Sequence, residues 1–207
     1  MRPRILTMVW AGEESCANRV MHTLEAVAGC PDIARTLVVS TERLELSYPD
    51  RVGQLIVESP AWAHGARLVC DSGGNREDMI WFLRAGERPV AGALERLILA
   101  WEPGVGVMFG DCWENNIWKP VEPYDRVRLV MSPHFPAGMV VTREAIRTVG
   151  PPDSSLQSAA AADWYLRLTE SFMAVHVPEP LLYTHSQPGI ATTDWQRALA
   201  HAVRRRG

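Results

Sequence analysis

DMIWFLRAGERPVAGALERLIL, residues Asp78 to Leu99, opens with an unbroken apolar run, Met79-Ile80-Trp81-Phe82-Leu83. The run is as long as a strand and lacks the polar alternation of a half-exposed one, so it predicts a buried central strand. A polar break follows, Arg84-Ala85-Gly86-Glu87-Arg88, punctuated by Gly86 and Pro89. Leu94, Leu97 and Ile98 then recur at helical spacing, with Glu95 and Arg96 on the solvent side. Buried strand, polar turn and amphipathic helix form the unit that sets polar groups at the carboxyl edge of an open α/β sheet, where ligands bind.

The flanking sequence extends this pattern. Ile5 to Trp10 reads as a first strand, and Ser15 as the cap of a helix striped by Val20, Met21, Leu24 and Val27. Thr36–Val39 and Gln54–Glu58 read as strands, which makes the start a right-handed βαβ layer. Ala63 to Cys70 reads as helical, Ser72-Gly73-Gly74-Asn75 as a turn, and Val105 to Phe109 as a strand running into Gly110-Asp111. Trp113 to Asp125, with its prolines and tryptophans, predicts a surface loop, and Arg126 to Met131 an edge strand. Thr142 starts a short helix ending at Gly150, and Ala159 to Ser171 forms another. Ala174–Val177 and Leu181–His185 read as two short strands parted by Pro178 and Pro180. Thr193-Asp194-Trp195-Gln196 reads as a capping box for a last helix.

At 207 residues the chain suits one domain, over 1–192, followed by a C-terminal helix and basic tail over 193–207. A net charge of -3 and a pI near 6.1 argue against a nucleic-acid partner. Eight tryptophans are the one compositional excess and suggest flat apolar surfaces for stacking or partner contact, including a protein partner or a second copy. Arg204-Arg205-Arg206 reads as a solvated cationic end. Cys16, Cys30, Cys70 and Cys112 show no C-x-x-C pair and no zinc spacing, so reduced, mostly buried thiols and a cytoplasmic location are expected. No apolar run has the length of a membrane span.

Two short motifs carry little. Asp71-Ser72-Gly73-Gly74 resembles the nucleophile segment of chymotrypsin-like proteases, but only His22 and His64 precede it and the chain alternates strands with helices. Gly104-x-Gly106 lacks the third glycine of a dinucleotide fingerprint.

Several strings, taken in order, resemble family-2 (GT-A) glycosyltransferases. Met79 to Leu99 is similar to the segment in which a buried strand meets an Asp-x-Asp triplet and a turn leads to a helix. Val105 to Asp111 resembles the next strand, which commonly ends in Gly-Asp, and Phe135 to Gly150 the acceptor-side block. Ala162-Asp163-Trp164-Tyr165-Leu166-Arg167-Leu168 looks like the helix that carries the catalytic aspartate, and Val177 to His185 like the closing strand. The resemblance implies a single GT-A-like nucleotide-diphospho-sugar transferase domain, α/β, with a mixed, mostly parallel sheet and helices on both faces. It implies sugar transfer from a nucleotide-activated donor to an unknown acceptor. Asp163 would be the base, against the plainer reading of a carboxylate favoured at a helix N-terminus. Arg84 and His185 would touch the diphosphate, although a His after Tyr-Thr is otherwise a surface residue. Glu42 would contact the nucleoside; Glu87, Asp111 and Trp113 complete the substrate-binding set, and Trp113 with Trp118 would stack on an acceptor sugar or pack down their loop.

The chain departs from this family at its acidic positions. Arg84-Ala85-Gly86 stands where the triplet belongs, Ser40-Thr41-Glu42 replaces the aspartates after the second strand, and Ala162 precedes Asp163. Mg²⁺ and Mn²⁺ want carboxylate oxygens, so no metal ligand is assigned and no cofactor is expected, with a divalent Mg²⁺ or Mn²⁺ as the alternative. Two functions fit. Arg84 grips the diphosphate bidentately in a metal-independent transferase, or the chain is a pseudoenzyme that binds a sugar, a nucleotide or a protein, with Arg84 and Glu87 in a solvated turn. Asp163 and His185, both in place, favour the enzyme.

Overall fold

A computed structural model describes residues 2–12, 17–47, 51–57, 62–72, 77–121, 125–131, 133–185 and 189–205. Ser15, Cys16 and Gly73 to Asn75, which carried expectations above, lie outside the described residues.

The run at 79–83 is the strand it reads as. β4 (Met79–Arg84) lies beside β1 (Ile5–Ala11), parallel to it, with Met8 opposite Phe82 and Trp10 opposite Arg84. β2 (Ile33–Ser40) and β3 (Val52–Ile56) continue the parallel layer outward. On the other side of β4 the short β8 (Val140–Thr142) runs antiparallel to both β4 and β6 (Val105–Glu114). β9 (Met173–Thr184) is parallel to β6, and β5 (Arg88–Pro89) pairs antiparallel with the end of β9. β7 (Ile117–Lys119) folds back on β6 as a hairpin. The order β3-β2-β1-β4-β8-β6-β9-β5 gives a mixed sheet whose parallel strands all end at one edge.

Alternation along the strands divides the core. Ile5, Met79, Trp81 and Leu83 face α1 (Ala17–Ala28) and α3 (Ala93–Leu99), through Val27, Leu94 and Leu97. Leu6, Met8, Ile80, Phe82 and Phe109 face α2 (Trp62–Ser72), α5 (Arg143–Val149) and α6 (Ala160–Ser171). The rings of Phe82 and Trp164 meet edge to face with centroids 5.3 Å apart, and Trp62 closes the group. α7 (Thr192–Arg205) seats Trp195, Ala198 and Ala202 against α6 and the 3-10 turn over Ser154–Ala159.

Four local expectations are corrected. Residues 126–131 form a helix, α4 (Arg126–Met131), because Asp125 Oδ1 accepts from the amides of Val127 and Arg128 and caps it. The stretch after Trp113 is in part the β6–β7 hairpin, not a loop. β9 is one strand; its prolines sit where the β6 register slips, at Gly110 to Cys112. The last helix begins at Thr192, so Thr193 lies inside its first turn rather than at the cap. Thr142 does cap α5, accepting from the Ala145 amide. Ser72 ends a helix, in an α/β chain rather than an all-β one. Of the described cysteines only Cys70 is buried, its thiol pushed up to about 12 by desolvation; Cys30 and Cys112 are half-buried. Among the described residues no helix is long and apolar enough to cross a membrane.

Candidate functional site

Beyond Leu83 the chain leaves the sheet through a tight turn. The Ala85 amide still bonds to the Trp10 carbonyl, and the Glu87 amide closes back on the Arg84 carbonyl at 3.0 Å. Gly86 sits at φ 93°, where a side chain is strained, and donates its amide to Thr23 Oγ1 and to the Arg19 carbonyl of α1. The turn is stapled from within. Glu87 is only 3 % exposed; its Oε2 accepts from the Arg84 amide at 2.8 Å and its Oε1 from the Thr184 hydroxyl at 2.9 Å. Burial pushes this carboxyl up, against the opposing pull of the Arg84 amide, the Arg84 charge and Thr184. The picture of Arg84 and Glu87 in a solvated turn is therefore corrected: Arg84 is half-buried and Glu87 is interior.

Three cationic or protonatable side chains gather at this turn. Arg84 continues the alternation that puts Ile80 and Phe82 on the α2–α6 face, next to Trp10. Burial lowers its guanidinium from the ordinary value while Glu87 raises it. A Cβ at position 86 would stand 3.3 Å from His185 Nε2 and 3.6 Å from Arg19 Cδ. So His185, exposed just past the end of β9, lies against the turn after Leu83. Arg19 was missed by sequence reasoning. Its signal is positional: the first turn of a helix that follows a parallel strand lies at the carboxyl edge.

Asp163 is held by two other arginines, Arg167 and Arg205. It is 1 % exposed in the first turn of α6, with Oδ2 held by Arg167 Nε at 2.8 Å and Oδ1 by Arg205 Nη1 at 3.2 Å. Arg167 also donates to the carbonyls of Val149 and Pro151. Arg205, read as a solvated tail residue, instead bridges α7 to Asp163 and approaches Glu170 at 3.9 Å.

Asp111 is 2 % exposed near the end of β6, and its hydrogen bonds go to β9 and to the stretch 118–121. His176 Nε2 lies 2.7 Å from Oδ1, the Val121 amide donates to Oδ1 at 2.7 Å, and Trp118 Nε1 donates to Oδ2 at 3.0 Å. His176 in turn stacks on Phe109. Trp113 is half-buried on the same strand, opposite Trp118. Glu42 is exposed just past β2, where its carbonyl accepts from Ser40 Oγ at 2.6 Å; β2 ends at the same edge as β4, two strands away.

A divalent ion does not fit this donor set. Among the described residues the carboxylate at the turn is Glu87, whose oxygens already accept from Arg84 and Thr184, and the space a third triplet side chain would use is bounded by His185 and Arg19. Among the described residues no group of three or more His, Cys, Asp or Glu could hold a metal ion.

No protein-family model and no curated protein matches the sequence. Solved structures do match. The mannosyltransferase PcManGT from Pyrobaculum calidifontis, in complex with GDP-Man and Mn²⁺, superposes with a TM-score of 0.69 at 15 % identity, over 99 % of this chain and 65 % of that one. The chain has the GT-A glycosyltransferase fold. S. aureus TarS, residues 1–349, gives 0.69 at 12 % identity over 95 % of this chain and 63 % of its own. GalNAc-T7 with UDP, GalNAc and Mn²⁺ gives 0.69 at 10 % identity over 96 % and 48 %. This GT-A chain thus spans under two thirds of the length of each of these structures.

Proposed function

We propose that this GT-A domain transfers a sugar from a nucleotide-activated donor, using side-chain cations in place of a metal to hold the diphosphate. What carries the proposal is the placing of Arg19 and His185 around Gly86, two residues after Arg84, at the turn where GT-A enzymes place their acidic triplet. Guanidinium groups bind diphosphate oxygens bidentately and offset the charge that builds as the sugar–phosphate bond breaks. Trp10 beside Arg84 and Glu42 past β2, at the same edge, are the contacts this proposal assigns to the nucleoside. Asp163 is the base of this proposal, taking the acceptor hydroxyl proton as that oxygen attacks the sugar carbon. Arg205 must swing off its carboxylate first, since both oxygens are engaged in the resting state.

That engagement favours a second reading, in which the domain binds a nucleotide or sugar without transferring it. Calorimetric titration with UDP, GDP, UDP-glucose and GDP-mannose, in EDTA and in Mn²⁺, tests both. The proposal expects binding that survives EDTA and weakens about tenfold in Arg84→Ala, as loss of a charge-assisted pair implies. Absence of binding, or binding only with Mn²⁺, overturns it. Tight binding with no sugar released or transferred in Arg205→Ala or in the wild type supports the second reading.

A further inference from the structure

Cross-strand register lines up four side chains at the far end of the same edge. Trp118 on β7 is opposite Trp113 on β6, Trp113 is opposite Tyr183 on β9, and Tyr183 is opposite Arg88 on β5. Directly paired residues project from the same face of a sheet. The row continues the Phe109–Asp111 alternation, so it lies on the α2–α6 face, which also carries Arg84. Two strand spacings separate Trp118 from Tyr183, about 10 Å.

This row is open yet held. Trp118 is 51 % exposed and Tyr183 39 % exposed, among residue types that favour burial. The Trp118 indole is nevertheless anchored through its N–H to Asp111, an interior carboxylate fixed by His176 and the Val121 amide. Arg88, itself exposed, lies with its guanidinium carbon over the Tyr183 ring at 5.7 Å. A buried charge that orients an exposed ring presents a flat apolar face at low entropy cost on binding.

We infer that Trp118, Trp113 and Tyr183 form a stacking platform for a carbohydrate chain about two pyranose rings long, with Arg88 donating to its hydroxyls. The axial C–H face of a pyranose is apolar and flat, its rim is polar, and an aromatic strip ending in a guanidinium complements both. That the bound glycan is the acceptor rests on the transferase reading above; that the row binds a glycan does not.

The test is calorimetric titration of the full chain with maltotetraose, cellotetraose, mannotetraose and chitotetraose, in parallel with UDP and GDP. At least one tetrasaccharide should bind, and Trp118→Ala and Tyr183→Ala should each weaken it about tenfold, with nucleotide affinity unchanged. Trp118→Phe keeps a ring but not the anchor and should fall between. Tyr183 does not touch Asp111, so its variant guards against a misfolded hairpin. No binding of any tetrasaccharide, affinity unmoved in both alanine variants, or a row that instead drives self-association in sedimentation runs overturns the inference. Tetrasaccharide binding without nucleotide binding leaves the platform standing and removes the transferase reading.

Discussion

Glu87 shows how one side chain can fix a site without touching a ligand. Its carboxylate meets two donors that would otherwise be stranded in the interior, the Arg84 amide and the Thr184 hydroxyl, and so ties the end of β4 to the end of β9. Glu87→Ala should destabilise the fold by about 1–3 kcal/mol, the range for an unmatched buried donor; urea denaturation measures it, and a loss within error of zero contradicts the staple. pH gives an independent check. A carboxyl raised by burial keeps its proton longer in the folded than in the unfolded chain, so stability falls as pH climbs from the ordinary carboxylate range through the raised value. Glu87→Gln keeps one accepting oxygen for the Arg84 amide, leaves its NH2 to donate to the Thr184 hydroxyl oxygen, and removes that titration. Its melting temperature should decline less over this window, and a profile parallel to the wild type would count against the raised carboxyl. Gly86 supplies a second residue-scale outcome. Gly86→Asp restores an acid to the triplet position, yet φ 93° strains any side chain there and its Cβ meets His185. The variant should lose about 1–3 kcal/mol and gain no Mn²⁺ binding by calorimetry; a new Mn²⁺ site would show that only the missing acid keeps the ion away.

At the scale of elements, legibility tracked the strength of the local pattern. β4 and α3 were readable because an apolar run and a 3.6-residue stripe agree with where they are buried. α4 misled because Val127, Leu129 and Met131 alternate like a strand, yet only Leu129 is interior and Asp125, the cap, went unread. The hairpin was masked by its tryptophans and following proline, although Asn115-Asn116 at φ 51° and 63° is the left-handed pair that such turns use. Within the candidate site the turn and His185 were legible, whereas Arg19 and Arg205 were not, since each reaches its place through packing of a distant helix. Arg205 carries the element-scale prediction. Arg205→Ala removes one of the two guanidiniums on Asp163 and one tether of α7. Because Arg205 stays partly in solvent, the loss should be about 1–2 kcal/mol, below the 3–5 of a fully buried pair. If Asp163 is a base that Arg205 must uncover, turnover with a responsive acceptor should hold or rise in this variant while Asp163→Asn abolishes it. Equal loss of turnover and stability in both variants would make the carboxylate purely structural.

On the scale of the whole molecule, two half-sheets share one interior. β3, β2, β1 and β4 lie on one side of β8 and β6, β7, β9 and β5 on the other, and β8 contributes only three residues to the join. What welds the halves is the core beneath them. Trp164 meets Phe82 and Trp62 on the β4 side, while its neighbour Tyr165 meets Phe109 on the β6 side. Trp164 is fully buried and donates its indole N–H to the Gly150 carbonyl at 2.9 Å. Trp164→Phe gives up that bond and some volume and should cost about 1–2 kcal/mol. Trp164→Ala opens a cavity between the halves and should cost about 3–5 kcal/mol, a large share of the 5–15 kcal/mol, roughly, that holds an ordinary domain folded. If the halves form one cooperative unit, hydrogen exchange in Trp164→Ala should show the amides of β1 and β4 losing protection together with those of β6 and β9. Protection lost in β1 and β4 alone, or two separate unfolding transitions, would mean that the β4 and β6 ends of the edge are held by independent cores and that a change at one end need not steady the other.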